Sequence, residues 1–366
     1  VIFDDFESAD RTVENVAQAL RDPTTIAMLG VPSSTRGRKV FEKLAEDVRN
    51  LAIPFITEMS LDEIFADTPN VFTMASSVGN ELEVVRRMIS SGGYTRPVFV
   101  GLDNDLYSFA LEEGIVSGQP GPVGRVRVPV RDYQIAADVA RETAGRIAEL
   151  SPDLIVLSIH SGPTAKLLNE LTRLGVKAPV LILLGRVASV TRNLDPAGYG
   201  GAIAQIAREG VPNVYSERLR ARIWRSPGDR WVFEDVKNPA APGWQNGRCI
   251  ESNVTEPRRI YDPANRRAIG RGTQYRDMLA LIVQTARSAT KELDVPGLRA
   301  HISEKLRRFT EGRHVLKGLW RDWSFTENRT AAGDTLLLTK RPGDETIVLA
   351  PVQYQRINGN LQHTAT

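Results

Sequence analysis

Two short stretches of this chain carry hydroxyl side chains in a setting suited to holding a small polar solute: Gly30-Val31-Pro32-Ser33-Ser34-Thr35 and His160-Ser161-Gly162-Pro163. Each lies between an apolar run and an amphipathic stretch. Hydroxyls and backbone N–H groups at such a junction can receive a carboxylate at the positive end of a helix dipole. Ser33 can equally be a plain N-cap, and both readings stand. Thr57 and Ser60 end another apolar run, and Ser60-Leu61-Asp62-Glu63 has the spacing of a capping box. Tyr107 offers a ring and a hydroxyl, either to a ligand or to a protein interior. His160 is open to a structural or a binding role. Arg186 presents donors only, which suits a carboxylate or phosphate, or else is a solvated surface residue.

No catalytic apparatus is visible in the sequence. Gly30-Val31-Pro32-Ser33-Ser34 is neither a dinucleotide-binding Gly-x-Gly-x-x-Gly nor a phosphate-cradling Gly-x-x-x-x-Gly-Lys-Ser/Thr, and there is no Gly-x-Ser-x-Gly elbow. The four histidines, at 160, 301, 314 and 363, have no metal-ligand spacing. The single Cys249 excludes an internal disulfide or a cysteine cluster. Asp4-Asp5 reads as the end of a strand, where consecutive side chains point to opposite faces and cannot act as a pair. No cofactor is expected, and an unrecognised enzyme site is kept only as an alternative.

The elements that must position these residues follow from hydrophobic patterning. Apolar runs at Val1–Phe6, Thr25–Leu29, Ile53–Thr57, Pro97–Gly101, Val126–Val130, Leu154–Ser158 and Pro179–Leu184 alternate with amphipathic stretches at Arg11–Arg21, up to Asn50, Glu81–Ser90, Tyr107–Glu113, Gln134–Leu150 and Thr164–Leu174. Strands alternating with helices specify an α/β fold with parallel sheets. Ala202–Arg208 reads as a further helix. Residues 212–271 have no clear period. Helices return at Thr273–Ala289 and Leu298–Phe309, then strands at Leu319–Phe325, Thr335–Thr339 and Thr346–Leu349, with Arg341-Pro342-Gly343-Asp344 as a hairpin turn. The Gly- and Pro-rich stretch Ser117–Gly124 reads as the connector between two lobes.

At 366 residues, with 42% hydrophobic and 25% charged side chains, the chain has room for two lobes with real cores. Its 47 basic and 44 acidic residues nearly cancel, and the arginines are scattered rather than in one stripe, so a nucleic-acid partner is not expected. No apolar run approaches the roughly 20 residues of a membrane-spanning helix, so direct membrane insertion is not expected. No signal peptide is visible at the start.

The ordered series of motifs resembles the type I periplasmic binding proteins, in the leucine/isoleucine/valine-binding branch of ABC-transporter substrate-binding proteins. The resemblance is carried by Asp4-Asp5, Val16–Leu20, Ile26–Ser34, Leu51–Thr57, Pro69–Phe72, Pro97–Tyr107, Asp153–Ser158, Leu167–Gly175 and Lys177-Ala178-Pro179. It implies two Rossmann-like lobes joined by a three-crossing hinge, with residues 1–116 and 255–312 forming one lobe and 117–254 and 313–366 the other. It also implies a strand and helix ahead of the element at Val1, which are expected either to lie on sequence outside this chain or to be replaced. The implied function is non-enzymatic binding of a small solute in a crevice between the lobes, in a periplasmic or extracytoplasmic setting, with an ABC permease as partner. A ligand-sensing domain coupled to an upstream signalling domain is the alternative. The resemblance places Ser33, Ser34, Thr57, Ser60, Tyr107, His160, Ser161 and Arg186 at the ligand. Relatives often place an acidic residue near the strand end occupied here by Gly185-Arg186, so the expected ligand is a small organic acid or neutral molecule rather than a simple amino acid.

Overall fold

The computed structural model describes residues 3–5, 8–131, 133–185, 187–207, 221–226, 230–235, 244–245, 248–249, 271–310, 316–317, 322–331, 335–340, 348–352, 354–357 and 360–363. The chain divides into two compact units, Val1–Ser77 with Glu209–Arg220 and Lys237–Gly333, and Val78–Arg208 with Ala221–Val236 and Asp334–Thr366.

The first unit is built on a parallel sheet of β1 (Met28–Leu29), β2 (Phe55–Thr57) and β3 (Val71–Thr73), in that order. Helices α1 (Ala9–Arg21) and α2 (Ser34–Asn50) cover one face, and α8 (Arg271–Arg287) and α9 (Val295–Thr310) the other. The period-2 alternation of the strands serves both layers. Phe55 and Val71 pack with Val40, Phe41 and Val48, whereas Ile56 and Phe72 pack with Met278, Leu281, Ile302 and Leu306. A sheet buried on both faces calls for strands apolar on both, and Phe55-Ile56 and Val71-Phe72 supply this, each followed by a buried threonine. Helix α1 starts at the Ser8 N-cap, whose side chain accepts from the Arg11 N–H, and buries Val16 and Leu20. At Gly37 on α2 a Cβ would lie 1.9 Å from the Met59 sulfur, so a larger residue there would displace the Met59 side chain.

The second unit is a seven-stranded sheet. Five parallel strands, β4 (Pro97–Leu102), β5 (Gly124–Val128), β6 (Leu154–Ser158), β7 (Val180–Ile182) and β8 (Ile203–Ala207), are joined by two antiparallel ones, β9 (Thr335–Lys340) and β10 (Val348–Val352). The order is β10-β9-β8-β7-β6-β4-β5. Helices α3 (Val78–Ser91), α4 (Leu106–Ser117), α5 (Ala137–Glu149), α6 (Ser161–Arg173) and α7 (Val187–Arg192) also belong to this unit, as do two antiparallel hairpins, Ala221–Ser226 with Arg230–Asp235 and Tyr354–Ile357 with Asn360–His363. Its core joins Val98, Val100, Val126, Val128, Ile155, Leu157, Val180 and Ile182 from the strands to Ile147, Leu167, Leu168 and Leu171 from α5 and α6.

Four expectations need correction. The boundary falls at Ser77–Val78 rather than near residue 117, because β4 pairs with β5 and β6 and so carries residues 78–116 into the second unit. The Gly-rich stretch is instead the loop from α4 to β5, where the Gly118 N–H closes α4 on the Ile115 carbonyl and Gly124 packs under Val98. Residues 322–331 belong to the first unit, not the second lobe, since Trp323 and Phe325 are buried against α8 and α9 and the Trp323 Nε1–H donates to Asp277 at 2.7 Å. Residues 203–207 form a strand rather than a helix, hydrogen-bonded on both sides to β7 and β9. Gly201 admits that approach, because a Cβ there would lie 2.6 Å from the Lys177 carbonyl oxygen. Finally, residues 3–5 are not in a strand, and the expected Asp4-Asp5 strand end is a lead-in to α1. The turn expected at 341–344 and most of 212–271 lie outside the described residues.

Candidate ligand-binding site

In open α/β sheets, ligands collect at the C-terminal ends of the strands, where the strand order reverses. In the second unit the chain runs from β4 outward to β5 and then returns to β6 beside β4, so the reversal lies between β4 and β6. The segments bordering it are Asp103–Asp105 after β4 and His160-Ser161 after β6, and the loop after the edge strand β5 reaches the latter through the Tyr133–His160 ring contact.

Helix α4 begins on the Asp105 N-cap, whose carboxylate accepts from the Ser108 N–H at 2.9 Å. Ser108 is fully buried, and its hydroxyl lies 2.8 Å from the Ser158 hydroxyl and donates to the Ser158 carbonyl at 3.0 Å, locking α4 to the end of β6. Tyr107 is buried and donates its hydroxyl to the buried Glu81 carboxylate. Of its two sequence readings, the interior one describes where it sits. His160 occupies the N-cap position of α6 without using its side chain as a cap. It is half-buried, and its ring meets that of Tyr133 edge-on, with centroids 4.4 Å apart at 72°. Ser161, also half-buried, opens α6. The Asp103 carboxylate faces the Arg131 guanidinium at 3.5 Å. Arg186 lies outside the described residues.

At the corresponding edge of the first unit, Ser33 is the N-cap of α2 and accepts from the Arg36 N–H at 3.4 Å. Ser34 is buried, and its Oγ accepts from the N–H groups of Ser60 and Leu61 at 3.2 and 3.3 Å. Thr57 is buried, donating to the Phe72 carbonyl and accepting from the Met59 N–H. Ser60 is buried as well, and the capping box it was expected to start does not form: the 3-10 turn Asp62–Phe65 has Leu61 at its N-cap position and no side-chain cap. Arg36 forms a 3.0 Å ion pair with Asp5, which also accepts from the Thr12 hydroxyl at 2.7 Å.

Of the eight residues singled out in sequence, the structure therefore brings Ser34 and Ser60 together in the first unit and His160 and Ser161 in the second. Sequence reasoning missed Asp103, Arg131 and Tyr133; the signal for Asp103 is positional, since it follows β4 at the reversal point, whereas Arg131 and Tyr133 follow the edge strand β5 beside it. Among the described residues no group of three or more His, Cys, Asp or Glu could hold a metal, and no helix is long and apolar enough to cross a membrane.

No protein-family model matches this chain, and no curated protein does. Solved structures do. A leucine-binding protein, LivK, of Thermotoga maritima matches with a TM-score of 0.63 at 13% identity, over 100% of this chain and 86% of that one. The branched-chain amino acid transporter substrate-binding protein LivJ of Streptococcus pneumoniae, in complex with isoleucine, matches with a TM-score of 0.64 at 11% identity, over 96% and 86%. A solute-binding protein of an ABC transporter from Rhodopseudomonas palustris, in complex with 3,4-dihydroxybenzoic acid, matches with a TM-score of 0.59 at 11% identity, over 100% and 85%. The fold is thus that of the type I periplasmic binding proteins.

Proposed function

We propose that this chain is a non-enzymatic binding protein that captures a small solute outside the cytoplasm for a membrane permease of the ABC-importer class. The observation that carries this reading is the fold match along essentially the whole chain to solute-binding proteins of such transporters. The second unit's strand-end edge supports it, because His160, Ser161, Tyr133 and the Asp103–Arg131 pair gather where open α/β sheets bind ligands.

The ligand proposed is a small organic acid or neutral molecule. Arginine at 186, where amino-acid-binding relatives often carry an acid, supports that choice, as does Arg131 on the loop after β5.

A thermal-shift screen over aliphatic and aromatic acids, amino acids and amides tests both parts, since a ligand that binds only the folded state raises its apparent stability by about 2.7 kcal/mol at a hundredfold excess over Kd. A shift with acids, followed by calorimetric titration to a one-to-one end point, is the expected result. Tight binding of leucine would overturn the ligand class. Turnover of any compound, or no shift across the panel, would overturn the function.

A further inference from the structure

The loop after β5 closes as a narrow turn. The Gln134 N–H donates to the Arg131 carbonyl at 2.7 Å, and the Arg131 N–H donates back to the Gln134 carbonyl at 3.0 Å. Tyr133 sits inside that turn with φ 58°, the left-handed region that turns normally fill with Gly, Asn or Asp. A tyrosine there is strained, and 43% of the residue remains exposed. What the strain secures is a position. The ring stands edge-on to that of His160, forming a corner of two nearly perpendicular aromatic surfaces at the strand-end edge of the second unit. The same loop carries Arg131, whose side chain is 67% exposed and whose 3.5 Å ion pair with Asp103 is loose enough to exchange for a ligand carboxylate.

We propose that Tyr133 is a ligand-contact residue: its ring, braced by His160, receives the planar part of an aromatic or conjugated carboxylic acid, with Arg131 drawing the carboxylate. This rests on the binding function proposed above and narrows its ligand class. A planar π-system stacks on an aromatic face in a way that a saturated ring of similar size does not.

The test compares benzoate, cyclohexanecarboxylate and leucine by calorimetric titration on the parent chain and on Tyr133→Gly and Tyr133→Phe. The parent should favour benzoate over cyclohexanecarboxylate by about tenfold, as one aromatic contact allows. Tyr133→Gly relieves the left-handed strain, so its Tm should hold or rise by about 2 °C while benzoate binding falls about tenfold and the preference vanishes. Tyr133→Phe should keep benzoate affinity within about threefold, because the ring face is retained. Benzoate affinity unchanged in Tyr133→Gly, a preference that survives the substitution, or a parent that binds leucine but neither acid would each overturn this assignment while leaving solute binding standing. A parent that binds nothing across the wider screen would remove both.

Discussion

The strand-end edges of the two units are built from similar residues put to opposite use. In the first, hydroxyls face inward and stitch loops together: Ser34 holds the Ser60 and Leu61 amides, and Thr73 donates to the Met59 carbonyl at 2.7 Å while accepting from the Ala75 N–H at 3.1 Å. In the second, the stitching lies one layer down, at Ser108 and Ser158, leaving His160, Ser161 and Tyr133 at least partly accessible above it. A serine after a strand therefore has no fixed meaning. What decides its role is how deeply the neighbouring loops bury it.

The largest effect expected from breaking this contrast is on stability in the first unit. Ser34→Ala removes the acceptor for two buried N–H groups and should cost about 2–4 kcal/mol, read from urea denaturation midpoints. Ser161→Ala, at a half-buried position that opens α6, should cost less, about 1 kcal/mol. Equal costs at the two positions would erase the distinction.

Next in size is the tie beneath the second edge. Tyr107→Phe keeps the ring but withdraws the hydroxyl from the buried Glu81 carboxylate, and should cost about 1–3 kcal/mol. If Tyr107 instead served a ligand from the interior, the substitution would change affinity with little change in stability, and the two measurements separate the cases.

How much of this was legible from residues alone depended on whether the signal was local. Strands such as Leu154–Ser158 and Pro97–Leu102 announce themselves because a parallel strand buried on both faces must be an unbroken apolar run. Residues 203–207 do not, because their alanines favour a helix and only hydrogen bonding from β7 and β9 makes them a strand. The unit boundary was misplaced for the same reason: Gly and Pro at 117–124 mark a turn locally, and only sheet pairing shows that the turn stays within one unit. At the site, His160 and Ser161 were legible as residues following a strand. Tyr133 was not, because a tyrosine in a left-handed turn runs against the local preferences that make turns readable.

A smaller effect tests how the second unit's sheet is held at its opposite, N-terminal end. Burial of Asp153 works to raise its carboxyl pKa, but N–H bonds from Thr95 and Arg96, the Thr95 hydroxyl and the Arg96 charge together outweigh it, so the pKa is lowered. A group whose folded pKa lies below its unfolded value stabilises above the unfolded value, about 3.9 for Asp, and loses that contribution as pH falls through the folded one. Asp153→Ala should thus cost about 1 kcal/mol at neutral pH. The difference from the parent should shrink below about pH 4, and a pH-independent difference would reject the charge as its source.

The smallest expected difference returns to the two edges through their ion pairs. Arg36–Asp5 is a 3.0 Å hydrogen-bonded pair with side chains only 13% and 22% exposed, and Asp5 is further fixed by Thr12. Arg131–Asp103 is longer, at 3.5 Å, and its side chains are 67% and 33% exposed. Water and salt screen the second pair far more than the first. A double-mutant cycle on Arg36 and Asp5 should give a coupling of about 1 kcal/mol that survives added salt, and one on Arg131 and Asp103 less than about 0.5 kcal/mol that disappears in it. A strong, salt-resistant coupling at Arg131 would mean that its guanidinium is fixed by the fold, so that no ligand could take it from Asp103 cheaply.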